Sequence, residues 1–206
     1  MEIMTAAGPA LAEAEGPAHP ELLLVLTHGA GGSVASKDVL AAKKGGLAVG
    51  AAVVLVTQPY RVRGASAPGS ALRQDAAWLE VVGALRDEYP GLPLVQGGRS
   101  NGARVACRTA EQAGAAAVIA LAFPLHPPGK ADDPERSRAG ELRAASVPVL
   151  VINGERDPFG IPDAGDVARL VILPGETHSL SGHSQLITTE VESLLAEVIK
   201  LARRSG

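Results

Sequence analysis

Residues 94–106 read Leu-Val-Gln-Gly-Gly-Arg-Ser-Asn-Gly-Ala-Arg-Val-Ala, an apolar run that passes through glycines into an amphipathic stretch. The pattern predicts a strand over residues 93–96 and a helix after Ser100. Gly98-x-Ser100-x-Gly102 therefore lies on a strand-to-helix turn. Such a turn is sharp and strained, so that the serine hydroxyl stands clear of the sheet, and a side chain at either glycine would collide with a neighbouring element. The alternative is a glycine-rich turn with an incidental serine, since the chain has 24 glycines.

The chain from residue 22 onward alternates short apolar runs with longer amphipathic ones. Short apolar runs are typical of buried parallel strands. The predicted strands cover residues 22–26, 52–56, 93–96, 117–123, 147–153 and 169–173. Helices are predicted over residues 36–49, 70–89, 101–112, 141–145 and 185–203. This alternation predicts an α/β fold, with a mostly parallel sheet of about six to seven strands and helices on both faces.

Size and composition limit the possible functions. The 206 residues fit one domain with a sizeable core, which must be aliphatic because aromatic residues make up 2% of the chain. The net charge is −3 and the sequence has no basic stripe, so it lacks the clustered positive charge that binds nucleic-acid phosphates. A single cysteine, Cys107, excludes an internal disulfide and favours a cytoplasmic location. We interpret Cys107 as a small buried filler, and no apolar run reaches the length of a membrane span.

The first 20 residues differ in character from the rest. They carry Glu2, Glu13 and Glu15 and no positively charged segment, unlike a secretory signal peptide. We expect residues 1–20 to form a mobile leader or an edge segment, and residues 21–206 to form a single domain. The chain is too short for a separate lid domain, so we expect residues 124–140 to be the main cover over the site.

A serine needs a neighbouring base to become a useful nucleophile. Ligands of parallel sheets bind outside the carboxyl ends of the strands, so the base should follow a strand closely. His178 comes directly after the last predicted strand and is the first candidate. His183, near the start of the last helix, is its rival, and a surface histidine is the alternative for either.

The base in turn needs an acid to fix its tautomer. Asp157 follows the strand over residues 147–153 and is our candidate, and the chain order is then Ser, Asp, His. A turn aspartate before Pro158 is the alternative interpretation. The other carboxylates in reach are Asp163, Asp166 and Glu155.

The oxyanion of an acyl-transfer reaction needs backbone N–H donors. Asn101, directly after the serine at a helix start, supplies one candidate, and Ala30 in the glycine-rich turn after the first strand supplies the other, with Gly31 next. Further candidates for the substrate pocket are His28, Gly29, Gly31, Arg99 and His126. Ordinary roles compete here: a flexible turn for the glycines, a salt bridge for Arg99 and a loop contact for His126.

Four motifs together resemble the α/β-hydrolase superfamily, in its dienelactone-hydrolase-like branch of small enzymes. They are HGAGG at 28–32, GGRSNG at 97–102, NGERDPFG at 153–160 and GETHSL at 175–180. The loop FPLHPPGK at 123–130 also resembles a group of predicted hydrolases that includes a testis-expressed protein and a chromatin acetyltransferase complex subunit. The resemblance implies an α/β-hydrolase fold, a Ser-Asp-His triad, no cofactor, and hydrolysis of an ester or thioester. Asn101 departs from the family pattern, in which Met or a small residue is common.

Other function classes have less support in the sequence. A non-catalytic binding protein on this fold would be expected to have a broken triad, whereas all three positions are filled. A metal site using His28, His126, His178 and Asp157 lacks any H-x-x-x-H spacing. A nucleotide site lacks the glycine patterns of phosphate-binding loops. We therefore expect a small-molecule substrate, no nucleic-acid or membrane partner, and a monomer or homodimer.

Overall fold

One mixed sheet with helices on both faces makes up the computed structural model, which describes residues 1–130 and 133–205. The strands are β1 Glu2–Thr5, β2 Gly8–Glu15, β3 Leu23–Thr27, β4 Ala52–Thr57, β5 Leu94–Arg99, β6 Ala117–Leu121, β7 Val149–Gly154 and β8 Arg169–Leu173. The helices are α1 Lys37–Ala48, α2 Pro59–Val62, α3 Ala71–Glu88, α4 Asn101–Ala113, α5 Ala139–Arg143 and α6 Ser184–Ser205. Within the described residues the eight strands lie in the order β1-β2-β4-β3-β5-β6-β7-β8.

The sheet is parallel from β4 through β3 to β8, which confirms the predicted fold class. All five residues of β3 are buried, as are those of β6, because helices cover both faces of the sheet. The part of the chain that the structure describes has no separate lid domain. Parallel strands place the turns that follow β3, β5, β7 and β8 along one edge, where the candidate residues lie.

The predicted count of six to seven strands is too low, because β1 and β2 precede the first predicted strand. Residues 1–20 were expected to form a mobile leader or an edge segment, and here β2 pairs antiparallel with both β1 and β4. Ala10 and Ala12 of β2 are buried while Leu11 and Glu13 are exposed. This period of two is a strand signal, but alanine favours strands weakly, so the signal is faint.

Two apolar layers enclose the sheet. On one face α1 and α6 pack on β3 and β6, with Val39, Ala42, Ile187, Val191 and Leu195 fully buried. On the other face α3 and α4 contribute a second cluster that includes Trp78, Val82, Leu85, Ala103 and Ala106. Short helical elements, α2 and a 3-10 helix at Pro134–Arg136, lie in two segments where no helix or strand was predicted.

Residues 131 and 132 of the predicted cover over the site lie outside the described residues. Among the residues that are described, no helix combines the length and the apolar character needed to cross a membrane.

A buried glutamine fixes α4 on the strand that leads to Ser100. Gln96 of β5 accepts a hydrogen bond from the indole N–H of Trp78 at 3.0 Å. Its amide group donates to the Ala106 carbonyl at 2.7 Å and to the Thr109 hydroxyl at 3.0 Å. A buried polar side chain is tolerated when it is paired in this way, and here the pairing joins α3, β5 and α4.

Two glycines let α4 approach β3 closely. A Cβ atom on Gly98 would lie 2.8 Å from the Thr27 carbonyl oxygen, and one on Gly102 would lie 2.6 Å from the His28 carbonyl oxygen. Both distances are far inside van der Waals contact, and backbone atoms cannot swing away as a flexible side chain can. The turn therefore requires glycine at both positions.

Gly102→Ala should destabilise the protein by about 1–3 kcal/mol, because the added methyl group overpacks the α4–β3 contact. Gly83→Ala is the matched control, since Gly83 lies in α3 with no atom near its would-be Cβ. That change should stabilise the fold by about 0.5–1 kcal/mol through helix propensity. Urea unfolding midpoints measure both effects, and a shift in the same direction for the two variants would contradict the close approach.

Candidate active site

Ser100 lies on the sharp turn between β5 and α4 with strained backbone angles. Its φ is 53° and its ψ is −113°, in a region that residues other than glycine rarely adopt. The Ser100 N–H donates to the Leu121 carbonyl at 2.8 Å, which anchors the turn to β6. The side chain makes no capping bond to α4, although it occupies the cap position. Its hydroxyl is thereby available to a different partner.

That partner is His178, and the structure brings three predicted residues together. The Ser100 Oγ lies 2.9 Å from His178 Nε2, and His178 Nδ1 lies 2.8 Å from Asp157 Oδ2. A carboxylate accepts the Nδ1–H of a neutral imidazole, which leaves Nε2 as the acceptor for the serine hydroxyl. This is the geometry in which a histidine can remove a proton from serine.

The turn after β7 holds Asp157 rigidly. Its side chain is fully buried, and its Oδ1 accepts the Phe159 N–H at 2.9 Å. Asn153, the penultimate residue of β7, exchanges two hydrogen bonds with the backbone of Phe123, at 2.8 and 3.1 Å. Its amide also approaches Asp157 Oδ2 at 3.4 Å. Sequence reasoning missed Asn153, although a polar residue ending an apolar strand was a visible signal.

Glu176 closes the loop that carries His178, and it too was missed. Its carboxylate accepts the Ser181 N–H at 3.1 Å and the Gly182 N–H at 2.6 Å. His183 Nδ1 lies 3.0 Å from Glu176 Oε1, so the rival base is paired inside this loop rather than with Ser100. The hydrogen bond from His183, followed by those from the two backbone N–H groups, lowers the pKa of Glu176.

The rival acids each have another partner. Asp163 accepts the Gly165 N–H at 2.7 Å, and Asp166 pairs with Arg143 at 2.8 Å. Glu155 accepts the Gly175 N–H at 2.8 Å. Asp157 is the one of these four carboxylates that contacts His178.

The turn that follows β3 lies beside Ser100. A Cβ atom on Gly29 would lie 3.3 Å from the Ser100 Cβ atom, and the Gly32 N–H donates to the Gly29 carbonyl at 3.1 Å. Ala30 and the exposed Gly31 form the tip of this turn. Asn101 is the first residue of α4, so its backbone N–H has no acceptor within the helix.

His28, one of the candidates for the substrate pocket, lies beneath the turn that follows β3. It is fully buried, with Nδ1 at 2.8 Å from the Gly29 carbonyl oxygen and Nε2 accepting the Gln58 N–H at 3.0 Å. Burial lowers the pKa of His28, which keeps the ring neutral. The histidine therefore shapes the turn from beneath. Tyr60 packs on it edge to face at 5.7 Å, and burial raises the pKa of Tyr60 to about 12.

Arg99 has partners within the protein, and its predicted role as a contact for an acidic substrate remains a prediction. Its Nε lies 2.8 Å from Oδ2 of Asp38, a fully buried carboxylate. Its Nη2 donates to the His178 carbonyl at 2.8 Å. The salt-bridge alternative is thus the one observed. No local pattern in the sequence indicated Asp38.

His126 lies behind the ring that packs on the candidate base. The backbone N–H of His126 donates to the Phe159 carbonyl at 2.9 Å. The Phe159 ring contacts the His178 ring, with 4.4 Å between the two centroids. His126 is mostly buried, and its Nδ1 has no hydrogen-bond partner among the described residues. A role for His126 in the substrate pocket remains a prediction.

A separate cavity of about 240 Å³ lies beside α2. Tyr60 and Gln58 line it together with the segment over residues 65–70, whereas Ser100 and His178 do not. In the described residues, no three His, Cys, Asp or Glu side chains form a group that could hold a metal ion. Of the four residues considered for a metal site, His28 lies beneath the turn that follows β3, Asp157 and His178 lie beside Ser100, and His126 bonds to the Phe159 backbone.

Glu176→Gln should lower the free energy of unfolding at pH 7 by about 1–3 kcal/mol, because the loop loses its charged acceptor. The folded-state pKa of Glu176 is lowered, so its stabilising effect is full above the ordinary value of 4.5 and is lost as the pH falls below it. Denaturant unfolding at pH 7 and pH 3.5 measures this difference. Glu111→Gln, at an exposed position of α4, is the control, and a gap that persists in acid would contradict this role.

Comparison with known proteins agrees with this architecture. Residues 20–201 match the model of the alpha/beta hydrolase domain family. An alpha-beta serine hydrolase homologue from Coxiella burnetii superposes with a TM-score of 0.77 at 17% identity, covering 95% of this chain and 96% of that one. Est1E from Butyrivibrio proteoclasticus, solved with bound ferulic acid, gives 0.74 at 20% identity, covering 97% and 99%.

A serine hydrolase without a lid from Xanthomonas campestris gives a TM-score of 0.69 at 21% identity, covering 96% of this chain and 93% of that one. None of the curated protein sequences gives a significant match. The narrower resemblance to the group with a testis-expressed protein and a chromatin acetyltransferase subunit remains a prediction. The family model spans all four sequence motifs and the sheet from β3 to β8, and the chain belongs to the alpha/beta hydrolase domain family.

Proposed function

We propose that this protein hydrolyses a small carboxylic ester or thioester through an acyl-enzyme on Ser100. The observation that carries the proposal is the continuous chain of hydrogen bonds from Ser100 through His178 to Asp157, at 2.9 and 2.8 Å. This series of hydrogen bonds begins at Ser100, whose strained turn presents its side chain. The proposal needs no cofactor.

In the first half-reaction, Ser100 Oγ attacks the carbonyl carbon while His178 Nε2 takes its proton. Asp157 stabilises the imidazolium that forms. The backbone N–H groups of Asn101 and Ala30 are the proposed donors to the oxyanion, and each such donor is worth about 10²–10³-fold in rate. His178 then protonates the leaving alcohol or thiol, and the acyl group remains on Ser100.

In the second half-reaction, water attacks the acyl-serine carbonyl carbon and gives a proton to His178. The tetrahedral intermediate collapses, the carboxylic acid leaves, and Ser100 recovers its proton from the histidine. Asp157 need not change its protonation state in either half.

Family membership supports hydrolysis, and solved neighbours with this fold are described as esterases and serine hydrolases. Because Est1E binds ferulic acid, esters of aromatic acids belong in a first substrate panel beside short acyl esters and thioesters. We further propose a small-molecule substrate, a cytoplasmic location, and a monomer or homodimer without nucleic-acid or membrane partners.

A fluorophosphonate probe should label the pure protein at Ser100 at pH 7–8, because the probe reacts with serines that a base activates. Peptide mass spectrometry locates the adduct. Labelling should vanish in Ser100→Ala and persist in Ser66→Ala, a change at an exposed loop serine. No labelling of the folded protein would contradict the enzyme proposal and favour a binding protein, and an adduct elsewhere would identify a different nucleophile.

Asp157→Asn should lower kcat by about 10³–10⁴-fold, since an amide favours the wrong histidine tautomer. Asp163→Asn changes a rival carboxylate of a neighbouring loop and should leave kcat within about twofold. Hydrolysis of a chromogenic ester measures both. Equal losses in the two variants would mean that Asp157 is not the residue that orients His178.

A further inference from the structure

One guanidinium contacts two segments around Ser100 and lies close to a third. Arg99 directly precedes Ser100 in the turn after β5. Its Nε reaches Asp38 in the first turn of α1 at 2.8 Å, and its Nη2 reaches the backbone carbonyl of His178 at 2.8 Å. Its Nη1 lies close under Gly29, where a Cβ atom would come within 3.3 Å.

Asp38 gives this contact its strength. The carboxylate is fully buried, and its Oδ1 accepts the Val39 N–H at 2.9 Å. A buried charge is costly unless a counter-charge pairs with it. Arg99 is the cation that pairs with Asp38 here. Because α1 follows the turn that carries Ala30, the pair fixes that turn relative to Ser100.

The bond to His178 extends the same constraint to the base. The hydrogen bond joins residues 79 positions apart in the chain. It holds the backbone of the very residue whose ring must lie between Ser100 and Asp157. The two contacts differ in kind: Nη2 donates a hydrogen bond to the carbonyl, whereas Nε and Asp38 Oδ2 form a close ion pair in which neither atom has a hydrogen-bond partner among the described residues. The planar guanidinium fixes the directions of both nitrogens, so one side chain holds the ion pair and the hydrogen bond at the same time.

We propose that Arg99 and Asp38 form a positioning pair that keeps His178 and the proposed oxyanion-hole turn aligned with Ser100. This inference rests on the proposed function and deepens it. In this proposal Arg99 acts through the backbone of His178 rather than by contacting the reacting atoms or the substrate. Reaction rates depend steeply on such alignment, because a displacement of about 1 Å can cost about 10²-fold.

Arg99→Lys is the most informative variant. A lysine keeps the positive charge beside Asp38. Its single ammonium nitrogen cannot at the same time pair with the Asp38 carboxylate and donate to the His178 carbonyl from two fixed positions. We expect kcat to fall by about 10–100-fold with KM changed less than about threefold. Fluorophosphonate labelling should slow by the same factor.

Two esters separate positioning from substrate binding. A neutral ester and one whose acyl group carries a carboxylate should lose the same factor in Arg99→Lys. Arg104→Lys is the matched control: this arginine of α4 pairs with Glu141 at 2.9 Å through its own fork, away from His178. A loss confined to the acidic ester, or rates equal to those of the control, would overturn the proposal.

Folding and activity can be separated as well. If Arg99→Lys does not fold, the double variant Arg99→Gln with Asp38→Asn removes both charges and leaves no unpaired ion. Histidine NMR gives a readout that needs no activity, because the His178 Nδ1–H bonded to Asp157 should give a slowly exchanging downfield signal. That signal should weaken in the Arg99 variants and persist in Arg104→Lys.

A wild-type protein that shows the downfield signal but is not labelled would refute the proposed function. The positioning pair is then tested separately, by comparing the His178 Nδ1–H signal of the wild type with that of the Arg99 variants. An unchanged signal in the folded Arg99 variants would overturn the pair even in an active enzyme.

Discussion

A serine held at a φ of 53° is a source of strain, and the neighbouring structure must over-determine it for the conformation to persist. Such strain costs about 1–3 kcal/mol. Three sets of contacts stabilise the strained conformation. They are the hydrogen bond from Ser100 to Leu121, the close packing of α4 on β3, and the Gln96 hydrogen bonds that join α4 to β5. The packing of β5 and α4 on either side fixes the backbone angles of Ser100, and these angles direct its hydroxyl away from the turn.

The loops around this turn are organised by buried polar side chains that bind backbone groups. Asn153 joins the ends of β6 and β7, Glu176 closes the loop of His178, and His28 supports the turn that follows β3. Each of these side chains would be costly to bury without its partners. Asn153 and His28 thereby bind separate segments of the chain to each other, while Glu176 binds the loop of His178 internally.

The sequence predicted the parts of this protein that have a local cause. Strands of aliphatic residues, helices with capping residues and glycines at the Ser100 turn follow from periodicity and sterics, and parallel strands place Ser100, Asp157 and His178 at one edge. The hairpin of β1 and β2 was not predicted, because its buried residues include alanines, which favour strands only weakly. The role of His28 depends on a backbone N–H from Gln58, which is 30 residues away. Likewise, the Arg99–Asp38 pair joins segments whose proximity only the assembled sheet creates.

The hairpin at the edge of the sheet has a consequence for how copies of the molecule meet. An exposed strand edge is a template on which another chain can pair, and an aliphatic strand such as β4 would be a strong one. Here β2 covers that edge with an antiparallel ladder, and the outermost strand, β1, is four residues long with Glu2 exposed. A strand of only four residues offers few free backbone groups for a second chain. The hairpin therefore leaves less free strand edge than an uncovered β4 would, which limits edge-to-edge pairing between copies at this side of the sheet.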